Sequence, residues 1–211
     1  MRSLAEVLLL LVILTDFTVL AMSRLSACIR AVAAQGLLLG ILSLVVVGAW
    51  SVHGVGLALG TILVKAVLLP WFLRWAIREA SVRREVEPLV GYMASFLLGA
   101  AALAVSFAVA ARLPSIESGP LLVPVALTTL IIGLVVLITR TKAVSQVVGY
   151  LMLENGIYLF GLTQTLRVPF LVDAGVLLDV FVGVFVMGIV VFHINREFDS
   201  ISAAQLTELK E

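Results

Sequence analysis

Seven long apolar runs constrain this chain more than any other feature. They fall at about residues 4–22, 31–49, 55–73, 89–111, 121–139, 144–163 and 174–194. Each is long enough to cross a hydrocarbon core of about 30 Å at the helical rise of about 1.5 Å per residue. A backbone in lipid must satisfy its own hydrogen bonds, and none of the runs alternates like a barrel strand, so they read as helices. Seven spans of roughly 20 residues use about 140 positions. The rest of the 211 residues supply short loops and a tail, with no room for a soluble catalytic domain. Composition agrees: 62% of residues are hydrophobic and 13% charged, against roughly half and a quarter in soluble domains. The expected fold is all-α, a polytopic transmembrane helical bundle of about seven spans that only lipid can solvate.

The loops carry the topology. Arg24, Arg30, Arg74, Arg78, Arg83, Arg84, Arg140, Lys142, Arg196 and Lys210 fall on one side of the alternation, and Arg2, Arg112 and Arg167 on the other. Basic loops stay cytoplasmic, which places the N-terminus outside and the C-terminus in the cytoplasm. The first run could pass for a signal peptide, since Leu25-Ser26-Ala27-Cys28 matches a lipoprotein cleavage box. Glu6 spoils the positive leader and Arg24 interrupts the run before the box, so a retained helix is expected. Pro124 falls in the first turn of the fifth span, where it costs little, whereas Pro70 should kink the third near its inner end. Residues 196–211 form a polar tail.

Ionisable groups inside a span are costly and point to function. Four matter: Asp16, Lys65, Glu154 and Asp179. Glu154 sits about ten residues into the sixth span, on a row with Gln146, Tyr150 and Tyr158 at intervals of four, the spacing of one helix face. A protonatable carboxyl flanked by hydroxyls suits a proton relay; the alternative is a neutral acid that joins helices by hydrogen bonds. Asp179 has Gly175 and Gly183 four residues to either side, a pattern that lets another helix approach closely, so it should face protein. Lys65 lies near mid-membrane, at a depth matching Glu154. An ammonium there loses its proton or finds a counter-ion, and Glu154 or an acid of a neighbouring subunit are the candidates. Asp16, between Thr15 and Thr18 near the inner end of the first span, reads as structural and within reach of interfacial water. His53 and His193 lie at membrane boundaries; His193 is a weaker candidate for proton entry.

Absences exclude whole classes. With one cysteine, Cys28, and two histidines at opposite ends of spans, the chain offers no iron–sulfur ligation, no metal site and no internal disulfide. GxSxG, HExxH, Walker and GxGxxG patterns are missing, so proteolysis and nucleotide-driven transport are unsupported. A net charge of +1 implies no nucleic-acid partner. Neither repeated halves nor paired interruptions of spans suggest a free-standing solute transporter.

At the sixth and seventh spans the sequence becomes familiar. Ser145 to Ile157 (SQVVGYLMLENGI) and Gly175 to Ile189 (GVLLDVFVGVFVMGI), followed by Phe192-His193-Ile194 and Phe198-Asp199-Ser200, resemble the component E family of hydrogenase-4. The last three spans are also similar to the K subunit (chain 4L) of respiratory complex I. That subunit has a basic loop, a buried glutamate followed soon by an asparagine, and a second glutamate with a glycine four residues on. Arg140 and Lys142, Glu154 with Asn155, and Asp179 with Gly183 stand at the matching positions. Aspartate at 179 keeps a carboxyl but shortens its reach by one methylene.

The resemblance implies three regions: an N-terminal four-helix region over 1–115, a K-like three-helix region over 116–195, and the cytoplasmic tail. It implies a non-redox subunit in the membrane arm of a group 4 [NiFe] hydrogenase or related complex I-like assembly, in a bacterial or archaeal cytoplasmic (inner) membrane. Antiporter-like membrane subunits and a hydrogenase redox module would be its partners, with nickel–iron and iron–sulfur centres on those partners and no cofactor on this chain. Glu154 and Asp179 would exchange protons along a hydrated path, and Lys65 would tune them electrostatically. The rival expectations are a cation/proton antiporter component without hydrogenase and a purely structural membrane anchor.

Overall fold

The computed structural model describes residues 2–47, 52–79, 89–113, 120–164 and 188. Apart from short connections these are helical: α1 (Arg2–Ala21), α2 (Leu25–Val47), α3 (Val52–Thr61), a π-helical segment (Ile62–Leu68), α4 (Leu69–Glu79), α5 (Tyr92–Ala110), α6 (Leu122–Thr139) and α7 (Ala143–Gln164). Five described stretches are long and apolar enough to cross a membrane: Ser3–Ala21, Leu25–Val46, Ala58–Trp75, Tyr92–Ala110 and Leu122–Thr139. The more polar α7 has 22 residues, about 33 Å at the helical rise, and packs along α6. Apart from Gly188, the last expected span and the tail, with Asp179, Gly175, Gly183 and His193, lie outside the described residues, as does the expected exchange between Asp179 and Glu154.

Apolar side chains line the outside as well as the core. Leu59, Leu63, Val67, Trp71 and Trp75, four apart along α3, the π segment and α4, are all exposed, as are Met93, Leu97 and Val105 of α5. In water such stripes would be a liability; against lipid they are the expected outer face. Two buried clusters fill the interior. One holds Val19, Leu20, Ile29, Val32, Leu73, Ile132, Val148 and Met152. The other holds Leu9, Val12, Leu39, Leu42, Val125, Ala126, Leu159 and Leu162. Both draw on the chain before and after residue 115, through α1 and α2 on one side and α6 and α7 on the other.

Short connections make antiparallel neighbours of α1 with α2 and of α6 with α7. Arg140 ends α6 in an extended conformation, φ −94° and ψ 138°, and turns the chain straight into α7. Pro124 is the third residue of α6, where the missing N–H has no intrahelical acceptor in any case. Glycine then lets the two backbones touch. A Cβ on Gly133 would run into the Leu153 nitrogen, and one on Gly149 would sit 2.5 Å from the Leu137 nitrogen. These are backbone atoms of the facing helix and cannot swing aside.

In the third span the register changes from α to π over Ile62–Leu68, directly before Pro70. The Leu69 N–H bonds the Val64 carbonyl, five residues back. In that register Pro70 stands where a donor to the Lys65 carbonyl would stand and has no N–H to give.

Gly133→Ala should destabilise the protein by about 1–3 kcal/mol, the usual cost of forcing atoms into a filled interface. Gly60→Ala, with nothing within 4 Å of the new Cβ, should be neutral or stabilising by up to about 1 kcal/mol from helix propensity. Thermal unfolding in detergent compares the two, and equal effects would mean that α6 and α7 are not in backbone contact.

Candidate functional site

A polar layer crosses the bundle between the two apolar clusters. Helices contribute where their apolar residues pause: α1 gives Asp16, α2 gives Gln35, α3 and the π segment give Thr61 and Lys65, α6 gives Thr129, and α7 gives Glu154, Asn155 and Tyr158. All are buried, and Asp16, Gln35, Thr129 and Glu154 are each at most 1% exposed.

One limb is an ion pair. Lys65 Nζ lies 3.3 Å from Glu154 Oε1. That is longer than a tight charge-assisted hydrogen bond of about 2.8 Å, yet both groups are removed from solvent. The ammonium also lies 5.7 Å from the centre of the Tyr158 ring, within the range of a cation–π contact. The Tyr158 hydroxyl and Thr61 Oγ1 are 3.3 Å apart. Glycine again sets the distance: a Cβ on Gly36 of α2 would meet Lys65 Cβ at 2.7 Å and its carbonyl carbon at 2.9 Å. The lysine therefore starts from a backbone pressed against α2, in the wider π turn. Such single π insertions are frequent at functional sites.

The other limb is a chain of amides ending on a carboxyl. Asn155 Nδ2 donates to Gln35 Oε1 at 2.9 Å, Gln35 Nε2 donates to Asp16 Oδ1 at 2.7 Å, and Thr129 Oγ1 donates to Asp16 Oδ2 at 2.7 Å. Successive residues on a helix point about 100° apart. Glu154 thus faces Lys65 while Asn155 faces α2, and α7 joins the two limbs.

Asp16 is placed otherwise than expected. It is 0% exposed and bonds into the bundle rather than reaching interfacial water. Thr15 and Thr18 turn to their own helix, donating to the carbonyls of Val12 and Leu14. The row of Gln146, Tyr150, Glu154 and Tyr158 also divides. Four residues advance about 400°, so the row winds about 40° per step. Glu154 and Tyr158 face Lys65, Tyr150 is half-buried against the first apolar cluster, and exposed Gln146 donates to the Arg140 carbonyl at 3.1 Å. Gln35, Thr61 and Thr129 escaped the sequence reading. Gln35 carried a signal, since a lone amide inside an apolar run needs a partner almost as much as a charge does; the threonines carried none, because threonine can bond its own helix. Among the described residues no group of three or more His, Cys, Asp or Glu side chains gathers to hold a metal ion.

The bundle and its buried ion pair define a polytopic α-helical membrane protein with a charged layer in its core. No family model matches the chain, and no solved structure matches it. It is 34% identical over 160 residues to the uncharacterized protein Rv0085 of Mycobacterium tuberculosis, covering 74% of this chain and 73% of that one. It belongs to the family of that protein. Distant homology extends to Hydrogenase-4 component E of Escherichia coli K12, at 28% identity over 148 residues, 69% of this chain and 68% of the relative. The Hydrogenase-4 component E of Shigella flexneri matches equally.

Removing one partner of a buried ion pair leaves the other charge uncompensated, at a cost of about 3–5 kcal/mol. Lys65→Met and Glu154→Gln should each destabilise the protein. The double variant should be more stable than the sum of the single losses by at least about 1 kcal/mol. Unfolding in detergent around this cycle reads the coupling, and strict additivity would mean that the two side chains do not pair.

Proposed function

We propose that this chain is a non-redox subunit of the membrane arm of a complex I-like hydrogenase assembly, and that its polar layer takes part in moving protons across the membrane. One observation carries the reading: the Lys65–Glu154 pair, buried between membrane-spanning helices, at 3.3 Å. A pair held only for stability is a poor use of two charges, because a packed apolar pair of the same volume is often as stable or more so. A titratable pair in the hydrocarbon layer, by contrast, is the usual equipment of proton relays. The homology to Hydrogenase-4 component E supplies the setting. Antiporter-like membrane subunits and a [NiFe] redox module are the partners that setting calls for, and the metal centres belong to them.

Within this scheme Glu154 takes up and releases the proton and Lys65 sets the carboxyl's proton affinity. Tyr158 and Thr61 provide hydroxyls beside the pair. Asp179 is the second carboxyl of the proposed path, on the strength of its likeness in sequence to the second glutamate of the K subunit. Glu154→Gln keeps the shape and removes the titration.

Purification in mild detergent, with the co-purifying chains identified by mass spectrometry, should recover a [NiFe] large subunit together with antiporter-like membrane subunits. In that complex Glu154→Gln should lower proton translocation per turnover at least about 10-fold, a barrier change of roughly 1.4 kcal/mol, with subunit composition unchanged. Antiporter-like partners without a hydrogenase would remove the hydrogen chemistry and keep the path. Full pumping by the glutamine variant would leave only an anchoring role.

A further inference from the structure

A second buried cation lies away from the polar layer and has no part in the proton path. Arg140, between α6 and α7, is 4% exposed. Its Nη2 donates to the Leu20 carbonyl at 3.2 Å, and the guanidinium lies 4.7 Å from the centre of the Tyr92 ring. Its other terminal nitrogen, Nη1, is buried and has no hydrogen-bond partner among the described residues. An N–H of a guanidinium left unfilled in a poorly solvated site is costly.

Arg140 lines a small pocket with Met22, Ser23, Leu25, Cys28 and Ser145. Leu25 is the first residue of α2, and Ser145 is the third of α7. The first-turn N–H groups of a helix lack intrahelical acceptors and carry the positive end of its dipole. Two helix starts and an under-satisfied guanidinium therefore converge on one pocket, an arrangement that selects an anion. Arg24 flanks it in sequence and adds to the positive field. The pocket's volume, about 10 Å³, is near the minimum that admits one water-sized group. A ligand can place one oxygen inside and must keep its body outside.

We propose that this pocket binds one oxygen of a phosphate group, with Arg140 Nη1 as the principal donor. A bundle end in a membrane meets that group foremost as the headgroup of an anionic phospholipid. With Nη2 held by the Leu20 carbonyl, the rigid guanidinium presents Nη1 as a fixed donor, whereas a lysine ammonium would offer only a point charge. The lipid would tie the α1–α2 and α6–α7 hairpins together from outside. The pocket does this whatever the polar layer does, so it stands apart from the hydrogenase reading.

The full chain, delipidated in detergent, is titrated with phosphatidylglycerol, and bound lipid is counted by native mass spectrometry. Wild type should retain one lipid of highest affinity. Arg140→Met should bind it at least about 10-fold more weakly, while Arg140→Lys should fall between. Ser145→Val, which narrows the pocket and leaves the guanidinium in place, should also weaken binding. Thermal unfolding with and without lipid gives a second readout, with a stabilising shift in wild type that Arg140→Met lacks. Competition by millimolar inorganic phosphate at the same site would support the phosphate pocket and make its source soluble. Equal lipid retention by wild type and a folded Arg140→Met, with no binding of inorganic phosphate, would overturn the proposal and leave the pocket to water or to a partner's carboxylate.

Discussion

The buried Lys65–Glu154 pair is what the rest of the bundle is arranged around. Two charges taken out of water and lipid alike repay their desolvation only when they meet each other at close range with polar groups around them. Every close approach near the layer serves that end. Gly36 lets α2 press on the backbone of Lys65, and Gly133 and Gly149 let α6 lie against α7, which carries Glu154. In lipid no hydrophobic force drives helices together, so backbone contact and interhelical hydrogen bonds must do so. The apolar clusters on either side exclude water and keep the pair's local dielectric low, which strengthens its attraction and raises the cost of separating it.

The π segment belongs to the same economy of geometry. An α-helix through Ile62–Leu68 would place Lys65 and the residues after it in one continuous register. The extra residue of the π turn rotates the following α4 relative to α3. Thr61 and Lys65 then face the interior, while Leu59, Leu63, Val67, Trp71 and Trp75 keep an apolar row outside. Pro70 follows at once and cannot supply the next donor, so a register change just before it is the natural place to absorb the loss.

Much of this was legible in the sequence because lipid penalises charge so heavily. Glu154 and Lys65 stood out from apolar runs, and matching depth suggested the pair. The helices were legible for the same reason, as backbone in hydrocarbon has few alternatives. The expected reach of Asp16 to water rested on its neighbours Thr15 and Thr18, whereas threonines in helices commonly bond their own carbonyls. Its true partners are 19 and 113 residues away, and no local pattern announces contacts of that kind. The four-residue row on α7 misled in its first two members because a straight helix winds away from such a row. Gln35 was passed over because it carries no charge, although it is the centre of the amide limb.

The direction of the hydrogen bonds separates the tasks of the two limbs. Asp16 accepts at both oxygens, from the Gln35 amide and from the Thr129 hydroxyl. If Asp16 gained a proton, one of its oxygens would become a donor facing a donor. On the Thr129 side the hydroxyl can turn and accept, because it serves either role. On the Gln35 side the amide would have to reverse, and its reversal would set its NH2 against the Asn155 NH2. The cheaper response ends at Thr129 and leaves the amides as they are. The amide limb is therefore stiff: it fixes α1, α2, α6 and α7 to one another whatever the charge on Asp16. Glu154, one residue from Asn155 on the same helix, is held by that stiffness while its own partner is an ammonium on a flexible stem. The two limbs thus divide the work of the layer: the amides fix four helices to one another, and the ion pair joins α7 to the π segment.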